Sequence, residues 1–316
     1  MILNETFNNI YSSFYNNKLF FIIIFIICLI LIYILFNYKL IPMLKNKLKS
    51  PLIIVFDLDE TLGSFTQLGI FCDILEKYNH KLLDKEEFFK ILDQNPEYIR
   101  PRVLDLLKLV LAKKKQNLVD SIMIYTNNTG PNRWQSYLAD YFSYKLNEPV
   151  FDRIIRSFKI NGKIVEPERT SHEKIYSDLL KCTKMPEDTI VYFIDDVEHP
   201  KMIHENVYYV KVKPYHNLLP MDIFLSRYAN IKNISDEEYY ELANKIYQSI
   251  PKDIIFPKSK PVDEQNIDIL TGKMLISQMS DFFSEYRQKY SSNKSLKKYS
   301  NLSKSNNKSL KILSSK

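Results

Sequence analysis

The chain has 316 residues, 45% of them hydrophobic and 26% charged, which is enough for one packed catalytic domain with attachments. Its net charge of +7 is concentrated at the C-terminus, because residues 286–316 carry nine cations and no acid, which leaves −2 for the rest. The basic balance therefore does not indicate a nucleic-acid-binding core, and we expect no specific nucleic-acid binding. Three cysteines far apart in sequence do not form a disulfide framework.

The first predicted element is an apolar run at residues 19–36 with no charge and no proline. As a helix it would be about 27 Å long, close to the hydrocarbon thickness of a bilayer. We predict a transmembrane helix between an N-terminal tail at 1–18 and a basic juxtamembrane linker at 37–50. A cleaved signal peptide and a buried core helix are the alternatives. Four lysines follow the run, which predicts a single-pass protein whose catalytic domain faces the cytosol.

Short apolar runs then alternate with helical stretches over residues 51–225. The runs are rich in β-branched and aromatic residues, which is typical of buried strands. This alternation predicts an α/β domain with a Rossmann-like parallel sheet and helices on both faces. The predicted strands cover residues 52–56, 121–125, 189–194 and 207–212, and the predicted helices cover residues 102–113, 132–142 and 173–182.

Three further segments flank this pattern. Residues 63–97 form a small helical insertion directly after the first strand, where a lid could sit. Residues 226–285 form a helical C-terminal extension, in which Ser235 and Glu238 make a capping box. Residues 286–316 are rich in Ser, Asn and Lys and predict a disordered basic tail that could bind anionic lipid or an acidic partner. Helices are predicted at residues 71–78, 86–93, 235–250 and 263–290, with a proline-rich loop at 251–261.

Two acids, Asp57 and Asp59, follow the first predicted strand. Ligand sites of parallel sheets form at the carboxyl ends of strands, so both side chains can point into one crevice. The first carboxylate can attack phosphorus, and the second can protonate the leaving group and then activate water. On its own, the pair could also be a solvated acidic turn.

Two later strands end in polar residues as well. Thr126, beside Asn127, follows the second predicted strand and offers a hydroxyl and a backbone N–H to a phosphoryl oxygen. Asp195 and Asp196 follow the third, and adjacent carboxylates there suit a hard cation held by oxygen ligands. A phosphoryl-binding and metal-binding edge is therefore expected.

A lysine is the remaining group that this chemistry needs. Lys174 lies at the start of a predicted helix and can neutralise phosphoryl charge and shield the nucleophile from anionic repulsion. Lys181 and Lys184 are the possible substitutes.

These residues occur in the order and spacing of the haloacid dehalogenase superfamily, which the chain resembles from about residue 51 to 220. The run Asp-Leu-Asp-Glu-Thr-Leu at 57–62 and the segment Ile-Arg-Pro at 99–101 are similar to the RNA polymerase II C-terminal-domain phosphatase family, also called the NLI-interacting-factor family. Members of that family with an N-terminal membrane anchor share this layout. The chain departs from the family at Asp196, where Asn is usual, and in the insertion at 63–97.

The resemblance implies a role for each residue of the predicted site. Asp57 is the nucleophile and Asp59 the general acid/base, with its backbone carbonyl as a metal ligand. Phosphoryl binding falls to Thr126, Asn127 and Lys174, and the implied Mg²⁺ ligands are Asp57, Asp59, Asp195 and Asp196.

We therefore expect a membrane-anchored phosphoric monoester hydrolase that acts on phosphoserine or phosphothreonine of a protein through an aspartyl-phosphate intermediate. One alternative is a non-catalytic phosphatase-like membrane scaffold or receptor, and another is a phosphatase for small-molecule or nucleic-acid phosphates. The joint presence of Asp57, Asp59, Lys174 and Asp195 favours catalysis. Neither zinc-ligand spacing nor a Gly-rich phosphate loop occurs in the sequence.

Overall fold

The computed structural model describes residues 24–34 and 50–291. Residues 24–34 are helical and their side chains are exposed. The rest of the predicted span, the N-terminal tail, most of the linker and nearly all of the basic tail lie outside the described residues. Within the described ranges, no helix is long and apolar enough to cross a membrane. The membrane anchor stays a prediction.

A five-stranded parallel sheet forms the centre of residues 51–291, in the order β3-β2-β1-β6-β7. Two further strands, β4 and β5, form a separate antiparallel pair. The strands are β1 (Leu52–Phe56), β2 (Ser121–Tyr125), β3 (Arg153–Ile155), β4 (Lys159–Ile160), β5 (Lys163–Ile164), β6 (Ile190–Asp195) and β7 (Val207–Lys211). The four predicted strands are confirmed to within one residue at each end.

Helices cover both faces of this sheet, as predicted. The helices of residues 50–291 are α1 (Thr66–Asn79), α2 (Lys85–Gln94), α3 (Val103–Lys115), α4 (Asn132–Leu146), α5 (Tyr176–Thr183), α6 (Met221–Lys232), α7 (Asp236–Ser249), α8 (Lys252–Ile255) and α9 (Val262–Ser291). Single 3-10 turns form at Pro96–Tyr98 and Pro200–Met202. The insertion at 63–97 contains α1 and α2, and α1 begins five residues before its predicted start.

The core has two layers because side chains alternate between the faces of a strand. Ile54 and Phe56 of β1 face one layer, which α1, α2, α3, α4, α6, α7 and α9 complete. Ile53 and Val55 face the other layer, which α5 covers through Leu179 and its neighbours. With both faces covered, every residue of β1 is buried, which explains its unbroken apolar sequence.

The C-terminal helices pack into the first of these layers. Leu242 and Ile246 of α7 and Met279 and Phe282 of α9 belong to the same apolar cluster as the sheet. Helix α6 was not predicted, and the domain boundary predicted at residue 225 falls inside it. The sequence does not mark the start of α6 with a capping residue, because the residue before the helix is Pro220, whose side chain makes no capping hydrogen bond. The loop predicted at 251–261 contains the short helix α8.

Candidate active site

The predicted site residues meet at one edge of the sheet. Strands β2 and β6 flank β1, with Phe56 in register with Ile124 and Ile194, so the three strands end side by side. Their carboxyl ends open into a cleft of about 690 Å³, a size usual for small-molecule sites. All seven predicted residues line this cleft: Asp57, Asp59, Thr126, Asn127, Lys174, Asp195 and Asp196.

Lys174 lies between two carboxylates at the base of the cleft. It is 2% exposed, contacts Asp57 Oδ1, and donates from Nζ to Asp195 Oδ2 at 2.6 Å. Burial lowers the pKa of Lys174, but the attraction of the two carboxylates outweighs this and raises it, so the lysine stays cationic. Lys174 was predicted to lie in the first turn of a helix, but α5 begins two residues after it, at Tyr176. Lys181 and Lys184 are exposed and do not line the cleft.

Three carboxylates at this edge could hold a metal ion. Oxygen atoms of Asp57, Asp195 and Asp196 all lie within 4.8 Å of one another. Burial raises the pKa of Asp57, and so does repulsion from Asp195, while Lys174 opposes both. Burial and the same repulsion also raise the pKa of Asp196. One lysine among three carboxylates leaves an excess of negative charge and a donor set made of oxygen, which fits a hard divalent cation.

Asp59 lies apart from this three-carboxylate cluster. Its Oδ2 accepts a hydrogen bond of 2.8 Å from Asn128 Nδ2. Its Oδ1 is buried and has no hydrogen-bond partner among the described residues. Burial raises the pKa of Asp59, and the hydrogen bond from Asn128 opposes that shift only in part. A carboxyl group in these surroundings can hold a proton and offer it to a group that enters the cleft.

The loop that carries Asp59 folds tightly back on itself. Glu60 has a φ of 55°, in the left-handed region. Gly63 then passes close to the 3-10 turn, where a Cβ would lie 2.5 Å from the carbonyl oxygen of Tyr98, so only glycine fits. Arg100 is buried and donates to the carbonyl oxygens of Glu60 and of Thr61, the latter at 2.6 Å. These contacts fix the direction in which Asp59 leaves the sheet.

A second set of contacts supports the same loop from the C-terminal part of the chain. The Tyr215 N–H donates to the carbonyl oxygen of Glu60 at 2.8 Å. The Tyr215 ring lies 5.4 Å from the guanidinium carbon of Arg100 and 4.8 Å from Lys260 Nζ. Lys260 is in turn paired with the buried Asp268 of α9. The long C-terminal helix is therefore in contact, through side chains, with the residues that support the Asp59 loop.

The second-strand loop differs from its prediction in one respect. The Thr126 N–H, which was expected to be offered to a phosphoryl oxygen, donates to the carbonyl oxygen of Ile155 at 3.0 Å. The Thr126 Oγ1 accepts from the Asn128 N–H at 3.0 Å, which leaves its hydroxyl hydrogen to point elsewhere. Arg169 is buried and donates to the Thr126 carbonyl oxygen at 3.1 Å and to Asn127 Oδ1 at 2.7 Å. This arginine therefore sets the shape of the loop.

Among the residues of the site and its support that were not predicted to act there are Asn128, His199, Arg169 and Trp134. Asn128 directly follows Thr126 and Asn127, and its position at the end of the same strand could have indicated that it belongs to the site. His199, whose Nε2 lies 3.4 Å from Asp195 Oδ2, stands four residues after that acid. The sequence gives no indication that Arg169 supports the site, because a single arginine in a loop belongs to no recognisable motif. Trp134, whose ring packs against Phe88, also lines the cleft.

Comparisons with known proteins identify no relative. No protein-family model, curated protein or solved structure matches this chain. The family resemblance of the sequence therefore stays a prediction, whereas the Rossmann-like sheet and the acidic cluster are observed in the chain itself.

Proposed function

We propose that the protein is a Mg²⁺-dependent phosphoric monoester hydrolase that forms an aspartyl phosphate on Asp57. The observation that supports this most is the buried Lys174 between Asp57 and Asp195, with Asp196 close enough to share a metal ion. A structural ion pair needs one carboxylate for its lysine, and burying additional ones is costly. Such surplus charge in a cleft is typical of a functional site.

In the first step, a carboxylate oxygen of Asp57 attacks the phosphorus atom. The bond from phosphorus to the leaving-group oxygen breaks, and Asp59 gives its proton to that oxygen. Lys174 balances negative charge beside the nucleophile, and the Thr126 hydroxyl can donate to a phosphoryl oxygen. The products are an aspartyl phosphate and the protonated leaving group.

In the second step, a water oxygen attacks the same phosphorus atom. The Asp59 carboxylate takes a proton from the water, and the bond between phosphorus and the Asp57 oxygen breaks. Inorganic phosphate leaves, Asp57 is again a carboxylate, and Asp59 is again protonated. One residue thus serves as acid and then as base, which suits a side chain with one bonded and one unpartnered oxygen.

Mg²⁺ is the ion that we propose for the acidic cluster. Asp57, Asp195 and Asp196 would supply carboxylate ligands, and the Asp59 carbonyl is a further predicted ligand. When bound, the ion supplies positive charge that lets a phosphate dianion approach the carboxylates. Asp195 is held for this role by the Val197 N–H, which donates to its Oδ1 at 2.8 Å.

Membership of the haloacid dehalogenase superfamily, close to the C-terminal-domain phosphatases, is part of the proposal. The placement of the motif residues at the carboxyl ends of β1, β2 and β6 supports it, whereas the insertion after β1 departs from the C-terminal-domain phosphatases. A protein phosphoserine or phosphothreonine is the substrate that the resemblance suggests. A scaffold without activity and a phosphatase of small molecules or nucleic-acid ends are the rivals.

We expect a fragment of residues 49–316 to hydrolyse an aryl phosphate when Mg²⁺ is present, and EDTA to abolish turnover. All core residues belong to this fragment, so it should keep the site. Release of the phenol, followed by absorbance with Mg²⁺, with EDTA, and with EDTA followed by excess Mg²⁺, measures this. Turnover that survives chelation would contradict the metal assignment. Failure to hydrolyse aryl phosphate, phosphopeptides, sugar phosphates and nucleotides would favour the scaffold.

We also propose one membrane span with the catalytic domain in the cytosol. The helical, exposed, apolar residues 24–34 and the lysines after residue 36 support this. Protease added to intact microsomes should digest the domain, and detergent should not be needed. Protection of the domain would reverse the orientation. Glycosylation at the sequon that begins at Asn127, a residue of the cleft, would do so as well, because a glycosylated domain must lie in the lumen.

A further inference from the structure

Asn128, Gly130 and Trp134 line the same cleft as Asp59, the proposed acid. Asn128 binds Asp59 Oδ2 through its side-chain nitrogen and accepts the Gly130 N–H on its side-chain oxygen, both at 2.8 Å. Gly130 is next to an aromatic ring, since a Cβ there would lie 3.6 Å from Trp134 Cδ1. Two residues, Asn128 and Gly130, therefore connect Trp134 to the proposed acid, which must touch the leaving-group oxygen.

The indole of Trp134 is held firmly in this position. Its ring meets the ring of Phe88 edge-on, with centroids 5.0 Å apart and planes at 72°. Helix α1 approaches it closely, because a Cβ at Gly69 would lie 3.5 Å from the indole. The next residue, Gln135, is buried and donates to the Asn128 carbonyl oxygen at 3.0 Å. A ring fixed on several sides loses little freedom when it stacks on a ligand.

The charges around the cleft restrict what this side can accept. Seven Asp and Glu side chains line it, against two cations, Lys174 and Arg133. With Asp59 protonated as the proposed acid, six carboxylates remain, and a bound divalent ion would still leave an excess of two negative charges. The phosphoryl group itself brings two more. Further negative charge on a leaving group would be repelled by this field, whereas an uncharged leaving group would not.

We infer that Trp134, together with Gly69 and Ile70 of α1, forms a leaving-group subsite for phosphomonoesters whose leaving group carries an uncharged aromatic ring. Indole faces and edges attract such rings in offset or edge-to-face arrangements. The subsite rests on the proposed function, because the position of Asp59 as the acid defines the leaving-group side. It restricts the substrate class to singly phosphorylated esters with an aromatic leaving group and no additional anionic group. This favours the small-molecule rival over a protein phosphoserine or phosphothreonine.

Trp134 is the one tryptophan of the chain, so its fluorescence reports on this subsite alone. We would titrate the full-length chain, in Mg²⁺, with benzylphosphonate, butylphosphonate and 4-carboxybenzylphosphonate. Benzylphosphonate should change the emission and bind about five- to tenfold more tightly than butylphosphonate. The carboxylated compound should bind more weakly than benzylphosphonate. Equal affinities with unchanged emission would overturn the subsite.

Kinetics provide the second test. Benzyl and butyl phosphate have leaving alcohols of similar acidity, so their ratio of kcat/KM isolates ring recognition. This ratio should fall to about one in Trp134→Ala and stay partly above one in Trp134→Phe. Because both esters are assayed on one preparation, the ratio does not depend on the folded fraction. Tyr144→Ala, an exposed aromatic of α4 outside the cleft, should leave the ratio unchanged.

The outcomes separate the two proposals. If both esters are hydrolysed with equal kcat/KM by the unaltered chain, the phosphatase proposal stands and the subsite is wrong. If the preference for the ring persists in Trp134→Ala, another residue recognises it and the subsite is again wrong. If neither ester nor an aryl phosphate is hydrolysed in Mg²⁺, the proposed function itself fails.

Discussion

Replacement of Asp57 by Asn should abolish phosphoenzyme formation, and kcat should fall to the limit of detection. The amide nitrogen or oxygen cannot replace a carboxylate as the attacking group, so no bond to phosphorus forms. Incubation with a ³²P-labelled substrate, a denaturing quench and a count of protein-bound label measure this. The unaltered enzyme should retain a small labelled fraction that hydroxylamine releases, as expected for an acyl phosphate.

Replacement of Asp59 by Asn should have a different result, because it keeps the nucleophile. The asparagine oxygen can still accept the Asn128 hydrogen bond, so the loop should hold its shape. General acid–base help is worth about 10²–10⁴-fold, and an alkyl leaving group should therefore be almost inert. An activated aryl phosphate needs little protonation, so it should still phosphorylate Asp57. Water is not activated, and the labelled enzyme should accumulate.

Asp73→Asn is the matched control for both variants. It makes the same carboxylate-to-amide change in a side chain that lines the cleft but is exposed and paired with Lys77. It should form and lose label at close to the unaltered rate. Retention of activity in Asp57→Asn, combined with ordinary behaviour of Asp59→Asn, would rule out the aspartyl-phosphate mechanism.

Replacement of Lys174 by Met should both eliminate turnover and destabilise the fold when no divalent ion is present. The change leaves Asp57 and Asp195 buried against each other, with the lysine between them removed. Removal of one partner from a buried ion pair costs about 3–5 kcal/mol. Urea unfolding in EDTA should show this loss, and Mg²⁺ should restore part of it, because a cation between the carboxylates replaces the missing charge.

Lys181→Met is the control, because it makes the same lysine-to-methionine substitution as Lys174→Met at an exposed position of α5. Its free energy of unfolding should move by less than about 0.5 kcal/mol in either condition. If Lys174→Met were as stable as the unaltered chain in EDTA, the lysine would not be neutralising the cluster. If Mg²⁺ stabilised neither protein, the cluster would not be a metal site.

The parts of the fold that were predictable are the elements whose apolar run or helical repeat extends over enough residues to be recognised in the sequence. β1 and β2 were predicted residue for residue, because burial on both faces makes the whole strand apolar. β3 was missed, since it has three residues and begins with an arginine. The antiparallel pair β4 and β5 was missed for a similar reason: two residues on each side give no alternation to read.

The site residues were predictable where chemistry requires a particular side chain directly after a strand, as with Asp57 and Asp195. Contacts made over long sequence separations were not predictable. Nothing in the sequence near Thr126 shows that its N–H pairs with β3 or that Arg169 binds its carbonyl oxygen. Arg100 could be noticed beside a proline, but its role depends on which carbonyl oxygens the folded loop turns toward it.

The stack of Arg100, Tyr215 and Lys260 affects how shortened versions of this protein should be interpreted. A version that ends before α9 would keep the strands of the sheet and every residue proposed to face the phosphoryl group. It would lose Asp268, the carboxylate that pairs with Lys260 beside the Tyr215 ring. Such a version could fail in assays without lacking any catalytic group. Loss of activity on C-terminal truncation would then indicate that the loop at Asp59 and Glu60 has lost its support. It would not indicate that the basic tail activates the enzyme.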